Sequence, residues 1–430
     1  MKQIVYGLAI ILLAASCKNE KEIIVPAAFA DSLMSSYTQP EAYKVNETDL
    51  QFWRNRIDPK NPGMVNELKY AAALIQRFHL LGDIQDVISS DSILFIADRT
   101  FNHKESSPNL ALVRNSILQH RFKLADSLLD EANKADIKPY DAFATSFDVY
   151  FELGRYQLAE AMLQKIADYK DYGYNFRLAK LAHYRGELDS SIAAMQRASV
   201  IAGNNIYLKQ AALSNEADLY LHSGNLQKAN DLYVESIRLS TADLHSFMGL
   251  GWIALIHDKN DSLAEKIFLF VRSKTKAPDV LFKMVQVADA RGDSVMQQKY
   301  ASEFAEIVTA PVYGDMYNKY MIELCTGILN DPEKAEIIAK RELFNRATPQ
   351  TYAWYAWALC KNNKVADAEK IYQQYVSGKP LESLELYWMG KFMQGQEKGY
   401  NASQYFKAAY KNRYDLSPVM IKDLEKLLDK

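Results

Sequence analysis

Apolar residues recur along this chain at three- and four-residue steps, the spacing that buries one face of a helix. Two such runs alternate, with a short polar turn between them. Leu386, Met389, Gly390 and Met393 fall on one face of a first helix, and Ala402, Phe406 and Ala409 on one face of a second. Phe247, Leu250, Gly251 and Ala254, followed by Ala264, repeat the arrangement, as do Leu178, Ala179, Ala182 and Ala198 around a turn at Gly186. The small residues let helices approach closely, and the large ones fill the space beyond. The turn itself recurs as Gly154-Arg155-Tyr156-Gln157-Leu158-Ala159, Gly186-Glu187-Leu188-Asp189-Ser190-Ser191 and Gly224-Asn225-Leu226-Gln227-Lys228-Ala229.

The residue that opens each second helix sets a period. Val87, Ala125, Ala159, Ser191, Ala229, Ala264, Gln297, Ala335, Ala368 and Ala402 follow one another at steps of 32 to 38 residues, with Val87 and Gln297 the weakest members. A fixed period of this length belongs to a helical solenoid, in which each hairpin buries its apolar face only against its neighbours. The chain resembles the tetratricopeptide repeat (TPR) family, which pairs antiparallel helices in 34-residue units. The resemblance runs from about 68 to 416, strongest at 140–264 and 349–416 and faintest at 68–101 and 278–311. It implies an all-α solenoid of about ten TPR-like hairpins over 63–416. Ser417-Pro418 then opens a polar-faced capping helix over 417–430, with serine suited to the cap and proline to the first turn.

The N-terminus follows another pattern. A lysine at position 2 precedes an apolar run from Ile4 to Ala15, which is too short to span a bilayer and reads as a secretory signal. The run ends in Ala14-Ala15-Ser16-Cys17, which resembles a bacterial lipoprotein cleavage box, although Leu13 stands one place further from the cysteine than usual. The resemblance implies a signal peptide over 1–16 and a mature chain beginning at Cys17, which would carry acyl chains such as palmitate. Ordinary cleavage with a free Cys17 thiol is the alternative. Lys18-Asn19-Glu20-Lys21-Glu22 resembles the export tags of Bacteroidota surface lipoproteins. The expectation is an outer-membrane anchor, with the surface and periplasmic faces both open. Pro26, Pro40, Pro59 and Pro62 interrupt residues 17–62, which read as a tether with local helix near Ala27–Tyr37 or Glu47–Arg56.

Composition adds boundaries. Only 17 glycines and 12 prolines among 430 residues leave little room for long loops. A net charge of −2 supplies no basic field for nucleic acid. His79, His103, His120, His183, His222, His245 and His257 form no tight metal-binding spacing, although His183, His222 and His245 come from neighbouring units and could share a groove. Cys325 and Cys360 occupy adjacent units at an offset that argues against a disulfide. No nucleophile elbow, phosphate loop or dinucleotide fingerprint is present. The expectation is a non-catalytic protein without metal or cofactor.

In TPR proteins the first helices line a concave groove. Carried over by phase, this implies groove positions at Asp148, Phe151, Lys180, His183, Tyr184, Asp218 and His222 in the first half. In the second half it implies His245, Met248, Trp252, Phe282, Gln286, Tyr317, Tyr320, Leu324, Ala353, Trp357, Tyr387 and Lys391. Regular rings at Trp252, Phe282, Tyr320, Trp357 and Tyr387 would suit an extended peptide or a docking helix. A phase shift of one or two residues would instead bury them between repeats, with Tyr220 and Tyr233. Lys180, Lys361 and Lys391 could meet a partner's carboxylate. The expected function is an anchored protein–protein interaction scaffold. A surface glycan-binding lipoprotein of a nutrient-uptake system is the alternative, since tryptophans can stack on sugars.

Overall fold

A computed structural model describes residues 22–58, 60–396 and 401–429. Cys17 and the apolar leader lie outside these residues. The described residues are all α, with no strand. Two helices, α1 (Ala27–Ser35) and α2 (Glu41–Arg54), precede ten hairpins. The first five hairpins are α3 (Val65–Leu81) with α4 (Ile84–Thr100), α5 (Ser106–Leu118) with α6 (Phe122–Ala132), α7 (Pro139–Glu152) with α8 (Tyr156–Lys165), α9 (Tyr172–Tyr184) with α10 (Leu188–Ala202), and α11 (Ile206–Ser223) with α12 (Leu226–Leu239). The second five are α13 (Leu244–Ile256) with α14 (Asp261–Arg272), α15 (Asp279–Arg291) with α16 (Ser294–Val308), α17 (Asn318–Thr326) with α18 (Pro332–Asn345), α19 (Pro349–Lys361) with α20 (Val365–Ile371), and α21 (Ser383–Gln394) with α22 (Ala402–Lys411). A last helix, α23 (Pro418–Leu427), closes the array, and the Ser417 hydroxyl caps it by accepting from the Met420 amide. Among the described residues no helix is long and apolar enough to cross a membrane.

The expected solenoid is therefore present, hairpin by hairpin. The period marks real packing positions. Val87, Ala125, Ala159, Ser191, Ala229, Ala264, Ala335 and Ala368 are wholly buried where second helices cross first ones. Gln297 and Ala402 are only half-buried. In the hairpin of Gln297, Ala301 lies one turn further on and is fully buried. The small first-helix residues work as read: a methyl group on Gly251 would come within 2.6 Å of the Phe268 ring, and one on Gly390 within 2.5 Å of the Phe406 ring. Each intra-hairpin turn in the described residues reverses through a left-handed residue, glycine at 82, 154, 186, 224 and 292 but His120, Lys259, Asn330 and Asn363 elsewhere. That is why glycine alone does not mark every unit.

The solenoid coils tightly enough for distant repeats to meet. The Asn345 side chain bridges to the first half of the chain, with Oδ1 accepting from the Phe122 amide at 2.9 Å and Nδ2 donating to the His120 carbonyl at 2.5 Å. Arg346 reaches Glu152 at 3.4 Å. The Trp252 indole donates to the Tyr414 carbonyl at 2.8 Å, and His222 meets Asp415 at 2.5 Å. The Lys276 amide donates to the Leu81 carbonyl at 2.8 Å. The stretch expected to act as a tether is docked from residue 24 on. Its Ile24 and Val25 amides donate to the Asp258 carboxylate at 3.0 and 2.8 Å, and Lys266 pairs with Asp31 at 2.6 Å. The largest buried cluster accordingly joins Val25, Leu33 and Val87 to side chains of α11 through α21.

Candidate functional site

Closure turns the concave groove into a lumen. Its main cavity, about 600 Å³ and partly open, is walled by first helices: α9 supplies Phe176, Lys180 and His183, α11 supplies Asp218, Leu219 and His222, α15 supplies Phe282, Lys283 and Gln286, and α17 supplies Lys319, Tyr320 and Glu323. The start of α21 adds Glu382 and Leu384, and the C-terminal segment adds Asp415 and Met420. A second cavity of about 350 Å³ shares Lys180, His183, Lys319, Tyr320 and Glu382 with the first. It adds His120, Phe151, Glu152, Tyr156, Tyr184, Arg346, Trp354 and Glu385.

Ionisable groups dominate this interior, and most are paired within the protein. Lys180 Nζ lies 2.6 Å from Glu152. Burial raises the Glu152 carboxyl, but the charges of Lys180 and Arg346 outweigh that and hold it low. Lys319 contacts Glu385 at 3.3 Å and Glu382 at 3.5 Å. Burial would lower the Lys319 ammonium, yet these two carboxylates hold it well above its ordinary value. Glu382 is depressed, first by the charge of Lys319. The Trp354 indole donates to Glu385 Oε1 at 2.6 Å. His183 and His222 meet edge to face, 4.8 Å between centroids. Burial and the neighbouring ring lower His183, whereas for His222 the bond to Asp415 overrides burial and raises it. Burial, reinforced by Arg346, brings His120 down to about 4.

Two lumen groups stand apart. Burial pulls the Lys283 ammonium down to about 8 and pushes the Glu323 carboxyl up to about 7. Low dielectric disfavours each charge, and the pull of neighbouring opposite charges only partly offsets it.

The expected groove residues divide. Lys180, His183, Tyr184, Phe282 and Tyr320 line the lumen, as do Phe151, Asp218, His222 and Gln286. Within it Tyr184 stacks on Tyr156 at 3.6 Å, and Phe282 lies 4.4 Å from Tyr320. Met248 and His245 instead line a separate apolar cavity of about 620 Å³, at the seam with Tyr37, Pro40 and Tyr43. Trp252 does not face an open groove: it is 5% exposed, bonded to Tyr414 and covered by Lys283, whose ammonium lies 3.5 Å from the ring centroid. Trp357 packs between repeats, donating to Thr326 at 3.0 Å and stacking on Trp388, with the Lys361 ammonium 5.6 Å from its ring centroid. Tyr387 and Lys391 are held by Asp423 of the capping helix, at 2.7 and 3.1 Å. Asp148 pairs with Arg177 at 2.6 Å, Tyr317 donates to Asp279 at 2.9 Å, and Leu324 and Ala353 are core.

Sequence reasoning passed over Lys283, Lys319, Glu323, Glu382, Glu385, Trp354 and Asp415. Lys319 and Glu323 sit one place before and three after Tyr320, and Lys283 one place after Phe282. A wider groove stripe on each first helix would have included them. Nothing local marks Asp415, which arrives from the far end of the chain. Cys325 and Cys360 are free thiols. Among the described residues no group of three or more His, Cys, Asp or Glu side chains could hold a metal ion.

No protein-family model and no curated protein matches the chain. Among solved structures it is similar to a tetratricopeptide repeat protein from Parabacteroides merdae, at 17% identity over 68% of this chain and 99% of that one, with a TM-score of 0.33. It is also similar to yeast Tom70, at 10% identity over 94% and 96% of the two chains and a TM-score of 0.41. The apo form of RapI is a third, at 14% identity, 86% and 97% coverage and a TM-score of 0.37.

Proposed function

We propose that this protein is a non-catalytic, membrane-tethered helical-repeat scaffold that holds a segment of a protein partner at its lumen. The observation that carries the reading is convergence: side chains from α7, α9, α11, α15, α17 and α19 meet in two abutting cavities on the inner wall. A rigid repeat scaffold presenting rings beside fixed charges recognises a polypeptide without chemistry of its own. Ala14-Ala15-Ser16-Cys17 supports lipidation at Cys17 and an outer-membrane anchor. Acyl chains there would hold the solenoid at the bilayer. The partner is a compact segment and not a long threaded helix, because the clasps at Asn345, Arg346 and Tyr414 narrow the groove. No observation favours the glycan-binding alternative, since Trp252 and Trp357 are engaged within the fold.

A photo-cross-linking residue at Gln350, on the wall of the second cavity, tests this against one at Ile337, which is 67% exposed on a second helix. In native membranes the Gln350 probe is expected to capture a discrete protein and the Ile337 probe none. Capture only at Ile337, or at neither position, would move the partner off the lumen.

A further inference from the structure

The lumen charges fall into two sets. Lys180, Lys319, Glu382 and His222 have partners of opposite charge within the protein. On adjacent first helices, the Lys283 ammonium and the Glu323 carboxylate make no hydrogen bond or ion pair with any other described residue. Lys283 has only the face of Trp252 beneath its ammonium. Beside them Gln286 is 8% exposed, and its Oε1 is buried with no donor. Both side chains are half-buried; a charge drawn out of water without a partner is expensive, and two of opposite sign lining one cavity, next to an orphaned acceptor, are complementary to a ligand bearing both signs. The cavity also has apolar lining: Phe176, Leu219 and Met420 are only partly buried and show hydrocarbon to it. The volume of about 600 Å³ is that of a small-molecule pocket.

We infer that the main cavity binds a small zwitterion with an apolar side chain, a free α-amino acid. Its carboxylate pairs with Lys283, its ammonium with Glu323 and Gln286 Oε1, and its side chain packs on the Phe176 wall. This site goes beyond the partner reading above and is measured without any partner. Titration calorimetry on the full-length protein in detergent, at pH 7.5, tests it with L-phenylalanine and L-leucine. N-acetyl-phenylalanine removes the ligand's positive charge, and phenylalanine amide removes its negative one. The free amino acid is expected to bind at least about tenfold more tightly than either blocked form. In Glu323→Gln the N-acetyl and free forms should bind alike, and in Lys283→Met the amide and free forms should. Circular dichroism of each variant keeps loss of fold separate from loss of contact. A diphenylalanine peptide that outbinds the free amino acid would overturn the free-ligand assignment. No binding by any of the common amino acids, or equal binding by the blocked forms, would overturn the site altogether.

Discussion

Replacing Glu323 by glutamine keeps the shape of the side chain and removes its charge from the lumen wall. Burial raises this carboxyl from 4.5 to about 7, against the attraction of Lys319 and Lys283. Each pKa unit corresponds to about 1.4 kcal/mol, so the ionised form destabilises the fold by up to roughly 3 kcal/mol. The sign follows from proton counting. Between pH 4.5 and 7 the folded state binds the proton and the unfolded state does not, so wild-type stability falls as pH rises through that window. Above pH 7 the full cost is present, and below pH 4.5 it vanishes. The Gln variant should therefore match wild type at pH 4 and exceed it at pH 8 by roughly 1 to 3 kcal/mol, hydration of the cavity reducing the upper figure. Urea unfolding followed by far-UV circular dichroism at both pH values measures this, with the slope checked for constancy because repeat arrays lose cooperativity easily. Equal stability at pH 8, or a gain of the same size at pH 4, would show that Glu323 is not a strained buried charge.

Two further predictions concern the clasps. Asn345→Ala strips a partner from the buried Phe122 amide and the His120 carbonyl, and should cost roughly 2 kcal/mol. Hydrogen exchange at residues 120–123 should accelerate while α20 through α22 stay protected; uniform acceleration would mean global loss instead. His222→Gln breaks the contact with Asp415. Since Asp415 raises the histidine above its ordinary value against burial, that stabilisation is present in full below about pH 6.5 and is lost as pH rises through the raised folded value. The variant should lose about 1 kcal/mol at pH 6 and almost nothing at pH 9. A loss independent of pH would assign the contact to packing.

Local pattern made the hairpins legible. A face of Leu386, Met389 and Met393, or an alanine at 229 or 264, needs only the helical period to declare itself. Its burial follows once a neighbour with the same period stacks on it. The positions of the ten hairpins and the cap at Ser417 belong to this local information. Sequence placed the groove on the first helices but not its limits. Trp354 and Trp357 stand three residues apart on α19, yet Trp354 lines the second cavity while Trp357 stacks on Trp388 between repeats.

Closure was beyond the sequence because it accumulates. Each repeat adds a small rotation that no residue encodes alone, and the sum over ten decides whether the ends of the array meet. Single polar residues, Asn345, Asp258 and Asp415, then lock the seams to segments some 190 to 230 residues away. Such contacts carry no period. The sequence by itself determined an all-α repeat array with charged and aromatic first helices. The tertiary structure alone decided that its groove is a lumen, that Trp252 is part of a clasp, and that Lys283 and Glu323 face one another's cavity without partners, because burial of a charge depends on what the distant chain brings over it.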